Sequence, residues 1–302
     1  MTTWNKALNA AGVTGSRLRE DYTEQRRLAA KFRRGPYLAA RLLLPAPLVP
    51  HVIAATAFMH HTDTILDSGR PRGERVEAYE ALEKQVRLGL STGEGDQPLI
   101  RALLNTVTAH PGLQRHLENY LVTASTDIDS SAFATEADYQ HYIDAYSLPA
   151  FMLVACLVGP AADPAYRSAC RSYIDAGQRL DNLKDLKEDL DAGRLTIPLE
   201  ILERHGVARA DLENARDTPG TRALMEDVLE RARRALQAGH VLVDLTPSPN
   251  RPLVRSLISL ESLTLDAAAA KGAALLTGST RPSAPAAVGV LIREYRQARR
   301  LR

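Results

Sequence analysis

Three aspartates at four-residue intervals, Asp181, Asp185 and Asp189, dominate what the stretch QRLDNLKDLKEDLDAGRLTIP, from Gln178 to Pro198, can fold into. On a helix this spacing stacks three carboxylates on one face, one turn apart. Like charges stacked in that way repel and weaken a bare helix. The cost must be offset by basic neighbours, of which Lys184, Lys187 and Arg194 are at hand, or by divalent cations. A second pair with the same spacing, Asp63 and Asp67, closes the mostly apolar run Leu48 to Leu66. A helix apolar on most sides is buried, which makes an acidic pair at its end conspicuous. Two such helices face to face form an oxygen-lined cage suited to magnesium and the phosphates it carries.

The rest of the chain reads as helix punctuated by proline and glycine. Residues 1–16 are expected to form a loose or weakly helical arm, and Arg17 to Arg34 a charged helix. Gly35-Pro36 and Pro45-Ala46-Pro47 bracket a short apolar helix. Tyr166 to Asp191 is expected to be one long helix carrying the acidic ladder, ended by Gly193. Tyr139, Tyr142 and Tyr146 lie on a helix from Glu136 to Val158 and read as core residues. No alternating strand pattern, internal repeat or linker-like loop interrupts the series. The expectation is a single all-α domain over residues 1–302, with the acidic helices in its core.

Composition removes several function classes. A net charge of +2 over 302 residues gives no basic field for nucleic acid or a membrane surface. Cys156 and Cys170 sit in apolar helical surroundings and read as buried thiols. The first residues carry no apolar signal core, and no segment reaches the ~18 uninterrupted apolar residues of a membrane span. A cytoplasmic protein is expected. His60-His61 suggests zinc, but adjacent helical residues diverge by ~100° and share a metal poorly. No nucleophile elbow, phosphate loop or dinucleotide fingerprint is present.

The two acidic stretches resemble those of the squalene/phytoene synthase family. Its members carry Q-x-x-N-x-x-x-D-x-x-x-D, then basic residues, G-R and a proline. Here Gln178, Asp181, Asp185, Asp189, Gly193-Arg194 and Pro198 stand at those positions. The segment from Tyr37 through Arg41 to Asp63 and Asp67 resembles the family's S-F-Y-x-A-x-R-L-L-P to D-x-x-x-D region, and the likeness extends from Arg33 to Leu276. The family's Y-C-x-x-V-A-G-x-V-G run is echoed from Tyr142 to Ala150, interrupted by Ser147 and Pro149. Other departures are Thr56 and His60 where the family has tyrosine and arginine, Pro36 for phenylalanine, Asp181 for asparagine and Thr196 for tyrosine.

The resemblance implies an all-α isoprenoid synthase helix bundle with a central cavity, dependent on Mg2+. Asp63, Asp67, Asp185 and Asp189 would be the catalytic metal ligands, with Asp181 an added one. Gln178, Arg34, Tyr37, Arg41, His60, Lys184 and Arg194 would bind substrate. The donor half of the motif is retained while the side that holds a second prenyl diphosphate is altered. That pattern resembles an atypical branch of the family, whose members transfer a short prenyl group, such as dimethylallyl, to an aromatic small molecule such as a carbazole. The partners expected are an isoprenyl diphosphate donor and an aromatic acceptor. Head-to-head condensation to squalene, presqualene diphosphate or phytoene is the alternative. A terpene cyclase and a helical binding protein without catalysis are the others.

Overall fold

Proline and glycine set the helix ends, and the apolar faces between them set the packing. The computed structural model describes residues 3–32, 34–129 and 132–301. The first half runs α1 (Thr3–Ala10), α2 (Ser16–Phe32), α3 (Arg34–Leu43), α4 (Leu48–Leu66), α5 (Arg72–Thr92), α6 (Pro98–Ala109) and α7 (Gly112–Thr123). A 3₁₀ segment, Ala124–Asp129, leads to α8 (Glu136–Tyr142), a π-helical turn (Ile143–Ser147) and α9 (Leu148–Val158). Then come α10 (Pro164–Lys184), α11 (Leu186–Asp191), the short α12 (Leu199–Arg204) and α13 (Arg209–Glu213), and α14 (Pro219–Gly239). The chain ends with α15 (Leu242–Leu245), α16 (Arg251–Lys271) and α17 (Ala284–Arg300). Among the described residues the only non-helical pairing is an isolated bridge between Ala132 and Leu195.

The helix starts follow from sequence. Thr135 and Asp138 form a reciprocal capping box on α8. Asp163 accepts the Ala165 amide at 2.8 Å, and Pro164 fits the first turn of α10. Helix α4 is apolar on most sides and is correspondingly buried, with Ile53, Phe58 and Leu66 in the main core cluster. Burying each such side chain contributes ~1.5–3 kcal/mol. Helices α10 and α14 approach closely because Gly239 has no side chain; a Cβ there would sit 3.0 Å from the Tyr173 backbone nitrogen. Gly159 makes room in the same way for the Tyr166 ring, which tucks under the α9–α10 connection.

Buried charges are paired. Arg179 meets Glu136 and Asp175 and lies 4.4 Å over the Tyr139 ring. Arg101 grips Asp21 through two hydrogen bonds of 2.6 and 2.8 Å. The continuous helical run Glu136–Val158 is apolar enough by composition to cross a membrane, with mean hydropathy 1.4. Yet 56% of that window is buried inside the bundle, as in a core helix.

Two expectations need correction. The N-terminal segment is not a loose arm. Trp4, Ala7 and Leu8, at helical spacing on α1, are buried, and the Trp4 indole donates to Thr23 at 2.9 Å. The acidic ladder does not lie on one straight helix. The chain turns at Asp185 (φ −98°, ψ 3°) between α10 and α11, although the amides of Asp185 and Asp189 still bond four residues back. Three like charges on one stripe oppose a regular helix, and the turn comes at the middle one. Arg33, where the sequence likeness begins, lies outside the described residues.

Candidate active site

The two acidic stretches, more than a hundred residues apart in sequence, come together on one cavity of about 680 Å³. Asp63 and Asp67 enter from the C-terminal end of α4. Gln178, Asp181, Asp185 and Asp189 enter from α10 and α11, and Arg194 from the loop after α11. Each acidic group follows a buried apolar stretch that fixes its backbone. Leu183, Leu186 and Leu190 alternate with the acidic positions and face the core.

Crowded carboxylates shift one another in this cleft. Removal from bulk water, then repulsion from Asp63, pushes the Asp67 carboxyl above its usual range. Asp185 is raised by desolvation and then by Asp181. The cavity also contains Asp127, from the 3₁₀ segment, pushed up to about 7 by burial and by Asp67. Carboxylates that hinder one another's ionisation are stabilised by a bound cation. Hard oxygen ligands of this kind fit magnesium, which takes one or two protein carboxylates and completes its shell with water and substrate phosphate. Among the described residues no three acidic, histidine or cysteine side chains already converge on a single point.

Cationic groups interleave with the carboxylates. Arg194 donates to Asp189 Oδ1 through Nη2 at 2.5 Å and Nε at 3.1 Å. Arg75 donates to the Leu66 carbonyl at 2.7 Å, which holds it at the end of α4, and Arg70 completes the rim. Lys184 is paired with Asp181.

Five expected substrate contacts do not line this cavity. Arg34 is exposed at the start of α3. Arg41 donates to the Tyr37 hydroxyl and to Thr3, both at 3.1 Å, so these two side chains join α3 to α1. Lys184 is turned to Asp181 without lining the cavity. His60 is buried one turn before Asp63, its Nδ1 3.5 Å from Asp63 Oδ2.

The tyrosines divide. Tyr139 is a core residue, edge-on to Phe133 and under Arg179. Tyr142 and Tyr146, expected in the core, are there, Tyr146 buried in the main cluster and Tyr142 packed against it, and both also line the cavity. Tyr142 donates to Asp127 at 2.7 Å and Tyr146 to Asp63 at 2.6 Å. Burial holds both phenols well above their ordinary range, so they remain donors. Their rings are 5.5 Å apart, and Tyr120 and Phe133 extend the aromatic wall on either side. Both sit at or beside the π-helical turn, a distortion frequent at functional sites. Gln178 joins Ser147 (3.2 Å) to Asn182 (3.1 Å), tying α10 to that turn. Asp127 had no spacing signal in sequence; Tyr142 and Tyr146 had one, two polar-tipped rings four residues apart on an apolar helix.

The squalene/phytoene synthase family model matches residues 33–287. The chain is 28% identical over 231 residues to the bifunctional protein CrtB/UppS of Streptomyces coelicolor, covering 76% of this chain and 40% of that protein. It is 27% identical over 198 residues to the phytoene synthase of Thermus thermophilus, covering 66% of each. The chain thus spans less than two thirds of the length of either relative. The solved structure of squalene synthase HpnC from Alicyclobacillus acidocaldarius superposes with a TM-score of 0.76 at 24% identity, over 89% of this chain and 99% of that one.

Proposed function

Because the chain belongs to the squalene/phytoene synthase family, we propose that it is a magnesium-dependent prenyltransferase that ionises an allylic isoprenyl diphosphate and passes the prenyl group to an aromatic small molecule. One observation carries this reading: carboxylates from α4 and from α10–α11 share a cavity with Arg70, Arg75 and Arg194. Asp63, Asp67, Asp185 and Asp189 would hold the metal, with Asp181 at the edge. Magnesium there would supply Lewis-acid charge to the departing diphosphate. The arginines bind and orient the phosphate oxygens. The allylic carbon–oxygen bond breaks, and its electron pair leaves with the diphosphate. The apolar bundle around the cleft keeps water from the carbocation.

On the acceptor side, the rings of Tyr142 and Tyr146, 5.5 Å apart, line the acidic cleft, with Tyr120 packed behind Tyr146 in the core. Such faces stabilise a cation and stack on an aromatic ring. A ring carbon donates its π electrons to the cation, and the ring proton must then leave. We assign that proton to Asp127, whose carboxyl titrates near neutrality and is held by Tyr142. Thr56 and His60, where the family carries tyrosine and arginine, support an acceptor that brings no second diphosphate.

Head-to-head condensation is the second reading, favoured by relatives named phytoene synthase and squalene synthase. Product analysis separates the two. The purified protein is incubated with Mg2+, dimethylallyl diphosphate and a panel of hydroxylated carbazoles and indoles, and in parallel with farnesyl or geranylgeranyl diphosphate alone. A prenylated arene supports the aromatic reading. A doubled chain as the only product overturns it.

A further inference from the structure

The backbone of Arg194 is fixed beside the acidic ladder, while its side chain is not. Gly193, in the left-handed region at φ +77°, turns the chain back at the end of α11. The Arg194 amide therefore donates to the Asp189 carbonyl at 2.7 Å. The side chain that this closure delivers is 53% exposed, above an Asp189 carboxylate that is buried. Arg179 shows the contrast. Its side chain is 5% exposed, clasped by Glu136 and Asp175 and laid over the Tyr139 ring, so it cannot leave without opening the bundle.

Three carboxylates from three elements share the Arg194 charge. Its Nε and Nη2 both donate to one oxygen, Asp189 Oδ1. Asp67, at the end of α4, and Asp127, in the 3₁₀ segment, act on the same guanidinium through charge. All four side chains line the one cavity. Arg70 lines it too, but pairs with no carboxylate among the described residues. A carboxylate oxygen that accepts two N–H groups has both of its lone-pair sites filled. A divalent cation at Asp189 needs those sites, and its charge repels the guanidinium. A phosphate oxygen offers a displaced guanidinium an equivalent partner, with the same fork geometry.

We propose that Arg194 is an exchangeable counterion: a divalent cation displaces it from Asp189, and the freed guanidinium takes the diphosphate, so that each ligand favours the other through this one side chain. The proposal rests on the metal and diphosphate reading above and adds the linkage between the two. Whatever factor the cation adds to diphosphate affinity, diphosphate adds to cation affinity, because coupling in binding is reciprocal. Loss of Arg194 then acts in opposite directions on the two ligands. An arginine that only holds the fold would weaken both, and one that only binds phosphate would leave cation affinity unchanged.

The test is isothermal titration of the full chain with Mg2+ alone, and with inorganic diphosphate at saturating Mg2+. Wild type, Arg194→Met, Arg194→Lys and Arg70→Met are compared. Arg194→Met should bind Mg2+ alone about 10-fold more tightly than wild type, and diphosphate about 10-fold more weakly; this is the low end for hydrogen bonds between charged groups, since the side chain is half exposed. Arg194→Lys, which decides the matter if the methionine variant does not fold, should move both affinities in the same directions by less. Arg70→Met should lose diphosphate affinity without gaining Mg2+ affinity. Mg2+ affinity that is unchanged or lower in Arg194→Met, or that rises equally in Arg70→Met, overturns the exchange while leaving the underlying reading intact. So does an unchanged diphosphate affinity in Arg194→Met. A wild type that binds neither Mg2+ nor diphosphate overturns the underlying reading and this inference with it.

Discussion

Replacing Asp127 with asparagine should make the metal-free protein more stable at alkaline pH and remove part of its pH dependence. Asparagine keeps an oxygen to accept the Tyr142 hydroxyl but cannot ionise. In the wild type the Asp127 carboxyl moves from its ordinary 3.8 to about 7, through burial first and Asp67 second. The folded state therefore holds this proton more tightly than the unfolded chain. Its contribution is fully present below pH ~4 and is lost as pH rises through about 7. A difference of ~3 pH units at ~1.36 kcal/mol each gives ~4 kcal/mol as the ceiling. Asp127 is only partly buried in the ligand-free protein, so ~2 kcal/mol is the expected size. Asp67 and Asp185 are raised too and act in the same direction; both remain in the variant, so the difference between the two proteins reports Asp127 together with the repulsion it shares with Asp67. The assay is urea unfolding in EDTA at steps from pH 4 to 8.5. The two stability curves should diverge steadily across that range, with the variant the more stable at the top. Parallel curves would refute the assignment of a near-neutral carboxyl to this position.

Two further outcomes test the supports of the site. Tyr146→Phe deletes the 2.6 Å bond to Asp63 and should weaken Mg2+ binding and lower kcat by about 10–100-fold, the usual cost of losing a group that orients a metal ligand; thermal stability should change little, and unchanged Mg2+ affinity would deny Tyr146 that role. Arg179→Met leaves buried Asp175 without its cation, while Glu136 keeps Arg231 at 3.6 Å, and should cost about 3 kcal/mol in urea unfolding, whereas Arg222→Ala, whose partner Asp217 is exposed, should leave the midpoint in place; equal effects would contradict the buried-pair account.

How much of this was readable from sequence depends on the kind of signal each residue left. Asp63, Asp67, Asp185 and Asp189 were legible because a four-residue spacing next to apolar runs has few other uses, and all four line the cavity. The bounds of α4 were legible because prolines precede it and a glycine-containing loop follows. Trp4 on α1 was obscured by polar neighbours; its burial comes from packing by Arg26 and Thr23 of α2, a tertiary effect. The break at Asp185 was hidden because side-chain spacing carries no backbone angle. Asp127 left no trace, since it reaches the cleft by tertiary packing of an irregular 3₁₀ segment. Tyr37 and Arg41 illustrate the converse: matching motif positions brought them into the expected site, while their hydrogen bonds join each other and α1.

The proposed chemistry requires the facing carboxylates of α4 and α10–α11 to ionise an allylic diphosphate through a shared metal. The direct measurement is release of inorganic diphosphate from dimethylallyl diphosphate, with the carbazole and indole panel present, by wild type, Asp63→Asn and Asp185→Asn, with Mg2+ and with EDTA. Release should require Mg2+ in the wild type and fall at least ~100-fold in either variant, as expected when a principal electrostatic group is removed. Release that persists in EDTA, or that survives loss of both carboxylates, would contradict the account.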